Sequence, residues 1–274
     1  MFVNPAPTQA ELTAFYQDPA YYKGGGLGYN DYFAQRESHE TLADQRLKRI
    51  EKLLPAPGTV LDVGCAAGFF LAVAQKRGWT VAGVELSEDM AQYARDLTGQ
   101  PIVPRVTELN VAPETFDAIT FWEYIEHIPD PQDEVRRLTT LLKPGGVLAL
   151  STPNSSYWGA VYKPEIWREF KPPAHIGFFT AATLTRMLTA CGLEVVALPR
   201  VFPLAPIHPY AARRLLDLLR RTLGNGAERR TPLWWVFSLA WRIVEKSTQM
   251  LYKWRWPDAD IEVCIEAYAR KPLA

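Results

Sequence analysis

The stretch VLDVGCAAGFFLAVAQKRGWTVAGVELS, Val60 to Ser87, constrains this chain most. Val60, Leu61 and Val63 form a short apolar run that suits a strand buried on both faces. Gly64 and Gly68 bracket a turn where a ligand can lie against bare backbone. Phe69 to Arg77 then reads as a helix whose N-terminus faces that turn. Thr80 to Val84 is a second buried strand, and Glu85 follows it. An acid roughly 20 residues past such a turn can take both hydroxyls of a ribose. The unit is therefore expected to hold an adenosine-bearing ligand.

The glycine pattern narrows the ligand. A dinucleotide fold prefers G-x-G-x-x-G, which seats a pyrophosphate on the helix N-terminus. Here the turn reads D-V-G-C-A-A-G, and Asp62 at the end of the strand repels a pyrophosphate. It suits a cationic ligand, such as the ammonium and sulfonium of S-adenosylmethionine. An ordinary βαβ unit with a glycine turn is the plainer alternative. At these residues the chain resembles the class I S-adenosylmethionine-dependent methyltransferases, whose first motif is D-x-G-x-G-x-G. Ala66 stands in place of the middle glycine, small for small. The resemblance implies a cofactor site made by Asp62, Gly64, Cys65, Ala66, Gly68, Glu85 and Leu86, with Val106, Thr107 and Trp122 beyond them.

Further elements follow in alternation. A helix is expected over Ala34–Leu54, one over Glu88–Leu97 capped by Ser87, and a third strand near Pro101–Val106. Phe116–Trp122 is the fourth strand and Gln132–Leu142 a helix. Pro144-Gly145-Gly146 turns into a fifth strand, Val147–Thr152. A helix over Thr183–Ala190, a sixth strand over Leu193–Leu198 and a seventh over Ile261–Ala269 complete the series. Alternation of this kind argues for an α/β fold, a doubly wound, mostly parallel sheet covered on both faces. The resemblance implies seven strands, the last antiparallel. It extends to FDAITFWEYIEHIPDPQDEVRRLTTLLKPGGVLALSTPN, Phe116–Asn154, and HIGFFTAATLTRMLTACGLEVV, His175–Val196. These are similar to the branch with ubiquinone-biosynthesis O-methyltransferases and bacterial cell-surface sugar methyltransferases. That branch also places an acid after the third strand for the adenine amino group. Here that place reads Pro104-Arg105-Val106-Thr107, so adenine is expected to be held by the backbone around Val106 or by Glu108 just beyond it.

Trp122, Glu123, Glu126 and His127 follow the fourth strand, at the carboxyl edge where ligands sit in such sheets. His127 belongs to the pKa class suited to base work near neutrality. His175, in a loop past the fifth strand, is the second candidate, and Glu126 a third. Each has a structural alternative, as a residue that ties down its own loop.

The chain has 274 residues, is 48% hydrophobic and carries no net charge, so it does not advertise a nucleic-acid partner. Cys65, Cys191 and Cys264 show no metal-ligand spacing, so no metal is expected, and a reducing cytoplasm suits them. The start, MFVNPAPTQAELTAF, does not read as a signal peptide.

Three regions are expected: a cap over 1–57, the cofactor domain over 58–198 and 260–274, and an insertion over 199–259 between the sixth and seventh strands. The cap includes a tyrosine- and glycine-rich loop, Tyr21–Tyr32. Between Arg200 and Pro257 stand eleven basic and three acidic residues, a net of +8, with five of the nine tryptophans. Two helices, Pro209–Leu223 and Pro232–Trp254, are expected there. Tryptophan with arginine suits an anionic membrane surface or a lid over a lipid-linked substrate, and equally a hairpin packed on the sheet or in a subunit contact. The expected activity is methyl transfer to a hydroxyl of a small-molecule, sugar or lipid-linked acceptor, including a quinol. The alternative is a non-catalytic nucleotide-binding scaffold. The expected location is the cytoplasm, free or at the inner membrane face, with oligomer formation open.

Overall fold

The computed structural model describes residues 2–3, 7–17, 32–157, 160–161, 167, 169–199, 260 and 262–273. The tyrosine–glycine loop before Tyr32 and the two helices expected in the insertion lie outside the described residues. Two helices, α1 (Gln9–Gln17) and α2 (Arg36–Glu51), precede the sheet. Then come β1 (Thr59–Val63), α3 (Phe69–Lys76), β2 (Thr80–Val84), α4 (Glu88–Thr98) and β3 (Ile102–Val103). After them stand β4 (Phe116–Trp122), α5 (Pro131–Leu141), β5 (Leu142–Pro153), α6 (Ala181–Ala190), β6 (Glu194–Ala197) and β7 (Cys264–Arg270).

The seven strands lie in the order β3-β2-β1-β4-β5-β7-β6. β1 pairs in parallel with β2 and β4, while β7 runs antiparallel between β5 and β6. The doubly wound sheet and its antiparallel last strand are as the sequence implied. Strand order reverses between β1 and β4, and in open sheets of this kind ligands settle in the crevice at that reversal.

Local chemistry explains the elements. β1 is buried from Val60 to Val63 because both sheet faces are covered. On one face Leu61, Val63, Ile119, Phe121 and Leu148 pack with Val135 and Leu138 of α5 and Leu184 and Leu188 of α6. On the other, Val60, Val81 and Ala149 meet Leu47 and Ile50 of α2, Phe70 and Leu71 of α3 and Ala94 of α4. Asp130 caps α5 by accepting from the Asp133 N–H at 3.1 Å, with Pro131 at the first helical position. Thr180 caps α6 through a reciprocal pair with Thr183.

Several boundaries shift by a few residues from expectation, and two of the shifts have a visible local cause. β3 has two residues, because Pro104 has no N–H to donate and ends the ladder. β5 starts at Leu142 instead of Val147. Leu142 pairs with Phe116, and Gly145 N–H donates to Lys271 O at 2.8 Å, so the proline–glycine turn is held inside the sheet.

Candidate functional site

A cavity of about 760 Å³ opens at the carboxyl ends of β1, β2 and β4, at the strand-order reversal. Its floor is the glycine turn. Gly64 N–H and Cys65 N–H both donate to Val84 O, at 2.8 and 3.0 Å, which pins the turn to the neighbouring strand. Gly64 has φ +72°, and a Cβ there would stand 2.8 Å from Tyr124 Cδ2, so both conformation and space require glycine. Ala66 also lies in the left-handed region, at φ +46°. Its N–H donates to Glu85 Oε2 at 2.8 Å, while Ser87 N–H donates to Glu85 Oε1 at 2.8 Å. Glu85 thus buttresses the turn as well as facing the cavity, a role the sequence did not signal. Gly68 does not line the cavity. A Cβ at Gly68 would strike Ala94 Cβ at 2.9 Å, so Gly68 lets α3 and α4 approach.

Asp62 sits in the cavity wall and accepts from Thr120 Oγ1 at 2.7 Å. Burial pushes its carboxyl up to about 7, against the hydrogen bond from Thr120. A buried carboxylate so raised fits a ligand that brings positive charge, as S-adenosylmethionine does. Cys65, Leu86, Val106, Thr107 and Trp122 line the same cavity. Burial raises the Cys65 thiol well above its ordinary value, which leaves it inert as a nucleophile. Glu108 is not in the wall.

Of the three candidate catalytic residues, His127 lines the cavity, and Glu126 and His175 stand behind it. They form one cluster. His127 Nδ1–H donates to Ala174 O at 2.8 Å, and the two imidazoles meet edge to face with centroids 4.8 Å apart. His175 Nδ1–H donates to Glu169 O at 2.7 Å. Glu126 accepts from Thr152 Oγ1 at 3.0 Å, and its backbone O accepts from Ile176 N–H and Gly177 N–H. Its Oε1 is buried with no hydrogen-bond partner. Burial drives His127 down to about 3 and His175 to about 4, and pushes Glu126 well up. Both rings are neutral at physiological pH. One donor atom from each residue lies within 4.8 Å of the others, a two-histidine, one-carboxylate set of the type that holds divalent metals. Sequence spacing missed this grouping because His175 is 48 residues from His127.

The structure adds Leu12, His39 and Arg46, which the sequence did not assign to the site, and places Tyr32 and Glu123 in the same wall. Tyr32 and His39, stacked with centroids 4.5 Å apart, and Leu12 line the cavity from the N-terminal elements. Arg46 of α2 lays its guanidinium 4.0 Å above the Trp122 ring and donates to Glu266 Oε1 at 2.9 Å and Ser151 Oγ at 3.1 Å. Glu123 has φ +52°, with its N–H donating to Ser151 O at 3.0 Å. Its buried carboxyl, raised by burial, accepts from the Cys264 thiol at 3.1 Å. A non-glycine residue held in that conformation at a cavity wall marks strain at a working surface.

Residues 32–198 match a methyltransferase-domain family. The chain is 36% identical over 124 residues to a ubiquinone biosynthesis O-methyltransferase of Coxiella burnetii, covering 43% of this chain and 53% of that protein. It thus spans about half the length of that relative. A Thiobacillus denitrificans protein of the same name is 33% identical over 163 residues, covering 54% of this chain and 70% of its own. Geranyl diphosphate C-methyltransferase from Streptomyces coelicolor A3(2) has a similar fold, with a TM-score of 0.61 at 16% identity over 98% of this chain and 99% of its own. An Archaeoglobus fulgidus SAM-dependent methyltransferase gives 0.56 at 18% identity, covering 88% of this chain and 100% of its own. The glycine turn, the buried Asp62 and the strand order agree with these likenesses, and the chain belongs to the class I S-adenosylmethionine-dependent methyltransferases.

Proposed function

We propose that this protein moves the methyl group of S-adenosylmethionine to a hydroxyl of a small-molecule, sugar or lipid-linked acceptor. One observation carries the reading: a single cavity joins the cofactor floor, Asp62 and Glu85, to a second wall of Trp122, Glu123, Arg46 and Glu266. The cofactor supplies an electrophilic methyl. The chain supplies position: Asp62 offsets positive charge, Glu85 faces the ribose, and the Gly64 backbone admits close approach. Holding two reactants in line accounts for much of the acceleration in such a transfer.

A hydroxyl acceptor must lose a proton, and two wall residues can take it. His127 is neutral above about pH 3 and is oriented by Ala174 and His175. Glu123, raised by burial, is the second. The pH profile separates them. Glu123 gives an acid limb above the ordinary carboxylate range, whereas His127 gives none above about pH 4. Glu126 and His175 act through His127, as positioning groups.

The names of the relatives favour a quinol-type acceptor. The basic, tryptophan-rich stretch 200–257 favours an acceptor or partner at an anionic membrane surface. Among the described residues no helix is long and apolar enough to cross a membrane. We place the protein in the cytoplasm, with that stretch as its peripheral contact, and leave self-association as a further use of the same stretch.

The test is a labelled-methyl screen of catechols, nucleotide sugars and lipid extracts, run beside calorimetric titration with S-adenosylhomocysteine. Label transfer to a hydroxyl is expected. Binding without transfer to any acceptor would favour the scaffold alternative. No binding at all would overturn the cofactor reading.

A further inference from the structure

Adenine presents an exocyclic amino group with two N–H donors, and burying such a donor without an acceptor is costly. With the ribose at Glu85, the base falls toward the ends of β2 and β3, where Leu86, Pro104, Arg105 and Val106 line the cavity. Across that corner the wall is the first turn and a half of α5, through Glu134 and Arg137. The charged groups there are Arg105, Arg137 and Glu134. Both arginines are pure donors and cannot receive an amino hydrogen.

The other carboxylates of the cavity are engaged elsewhere. Asp62 holds Thr120, and Glu85 holds Ala66 N–H and Ser87 N–H. Glu123 holds Cys264, and Glu266 holds Arg46 and Arg49. Glu134 differs. Its side chain is 16% exposed, Oε1 accepts from Tyr124 O–H at 3.1 Å, and Oε2 makes a long ion pair, 3.8 Å from Arg137 Nε, that takes no hydrogen bond. The same Tyr124 ring covers the bare face of Gly64. Tyr124 therefore fixes Glu134 to the floor that carries the cofactor. Burial raises the Glu134 carboxyl, against the Tyr124 hydrogen bond and the Arg137 charge.

We propose that Glu134 reads the base: its carboxylate, held by Tyr124, accepts from the exocyclic amino group of adenine. The carboxylate comes from α5, while the place after β3 is taken by Arg105. The inference rests on S-adenosylmethionine being the cofactor.

The experiment is calorimetric titration of the full chain at pH 8 with S-adenosylhomocysteine and with S-inosylhomocysteine. In the second ligand a carbonyl oxygen replaces the amino group. Wild type should prefer the adenine ligand by about tenfold or more, the worth of one hydrogen bond to a charged group. In Glu134→Gln the carboxamide can donate to that carbonyl, so the inosine ligand should tighten and the preference shrink toward one or invert. A gain in affinity cannot arise from damage to the fold. Glu134→Ala should lose the preference by weakening the adenine ligand alone. An unchanged preference in both variants would overturn the proposal and leave the cofactor reading intact. So would a wild type that binds both ligands equally, a result that needs no variant. A wild type that binds neither ligand would overturn the cofactor reading, and the proposal with it.

Discussion

Replacing Glu266 by alanine should cost this protein about 3 kcal/mol. Glu266 lies in β7 with a side chain that is 0% exposed, and it receives Arg46 Nε at 2.9 Å and Arg49 Nη1 at 2.6 Å. Tyr268 O–H donates to the same carboxylate at 3.2 Å. Removing one partner of a buried ion pair typically costs about 3–5 kcal/mol, because the other charge stays buried. Arg49 is 36% exposed and can turn to water, so its share is discounted. Arg46 is 11% exposed and stacked on Trp122, so it has no such escape, which sets the expected loss near about 3 kcal/mol, the lower end. For a chain of this size that is a fall in Tm of about 6–12 °C. Thermal melts followed by far-UV circular dichroism measure it, with Glu266→Gln expected in between because one acceptor oxygen remains. A fall below about 2 °C for Glu266→Ala would show that both guanidiniums rehydrate, and would refute the reasoning.

Three other outcomes are expected. Gly64→Ala should abolish measurable S-adenosylhomocysteine binding while the sheet survives, since the new Cβ meets Tyr124 and the left-handed backbone costs a further ~1–2 kcal/mol; calorimetry and circular dichroism together decide it. Ala66→Gly should raise stability by about 0.5–1 kcal/mol, because φ +46° is strained for alanine, and a Tm that does not rise would count against that strain. Cofactor affinity should fall about tenfold per pH unit below about 7, as Asp62 takes up a proton and ceases to offset the ligand's positive charge. The sign for the ligand-free protein is opposite. A carboxyl raised in the folded state stabilises the fold below its unfolded pKa, and that contribution is lost as pH rises through about 7. Asp62→Asn should remove both dependences, which calorimetric titrations between about pH 6 and 8 and thermal melts between about pH 4 and 8 would show.

The parts of the fold that the sequence revealed are those written in contiguous residues. Val60–Ser87 carries its own strand, turn, helix and strand, because burial on both faces leaves an apolar run that cannot be mistaken for a surface segment. The shortness of β3 was readable in Pro104 but needed the sheet to show that nothing compensates for the missing donor. What was not legible is what the topology brings together. Arg46 and Glu266 are 220 residues apart and meet only because α2 packs near the sheet face that β7 joins. Glu134 sits on an amphipathic helix as one acid among several, and only the closed corner distinguishes it from exposed Asp133. Glu126 and His175 were singled out by proximity to the fourth strand and the fifth-strand loop, yet their side chains face inward, behind His127.

The placement of β7 also sets an order of assembly during synthesis. β6 is an edge of the sheet and meets β5 only through β7, and β7 contributes both Cys264 and Glu266 to the cavity wall. A nascent chain that has emerged through residue 200 holds the whole cofactor floor, yet β6 has no neighbour to pair with and Arg46 has no counter-charge. The wall of Cys264 and Glu266 is complete only once residues 264–270 pair with both β5 and β6. Until then the pocket stays open on one side, and the unpaired edges of β5 and β6 are where a chaperone or a second nascent chain would find it.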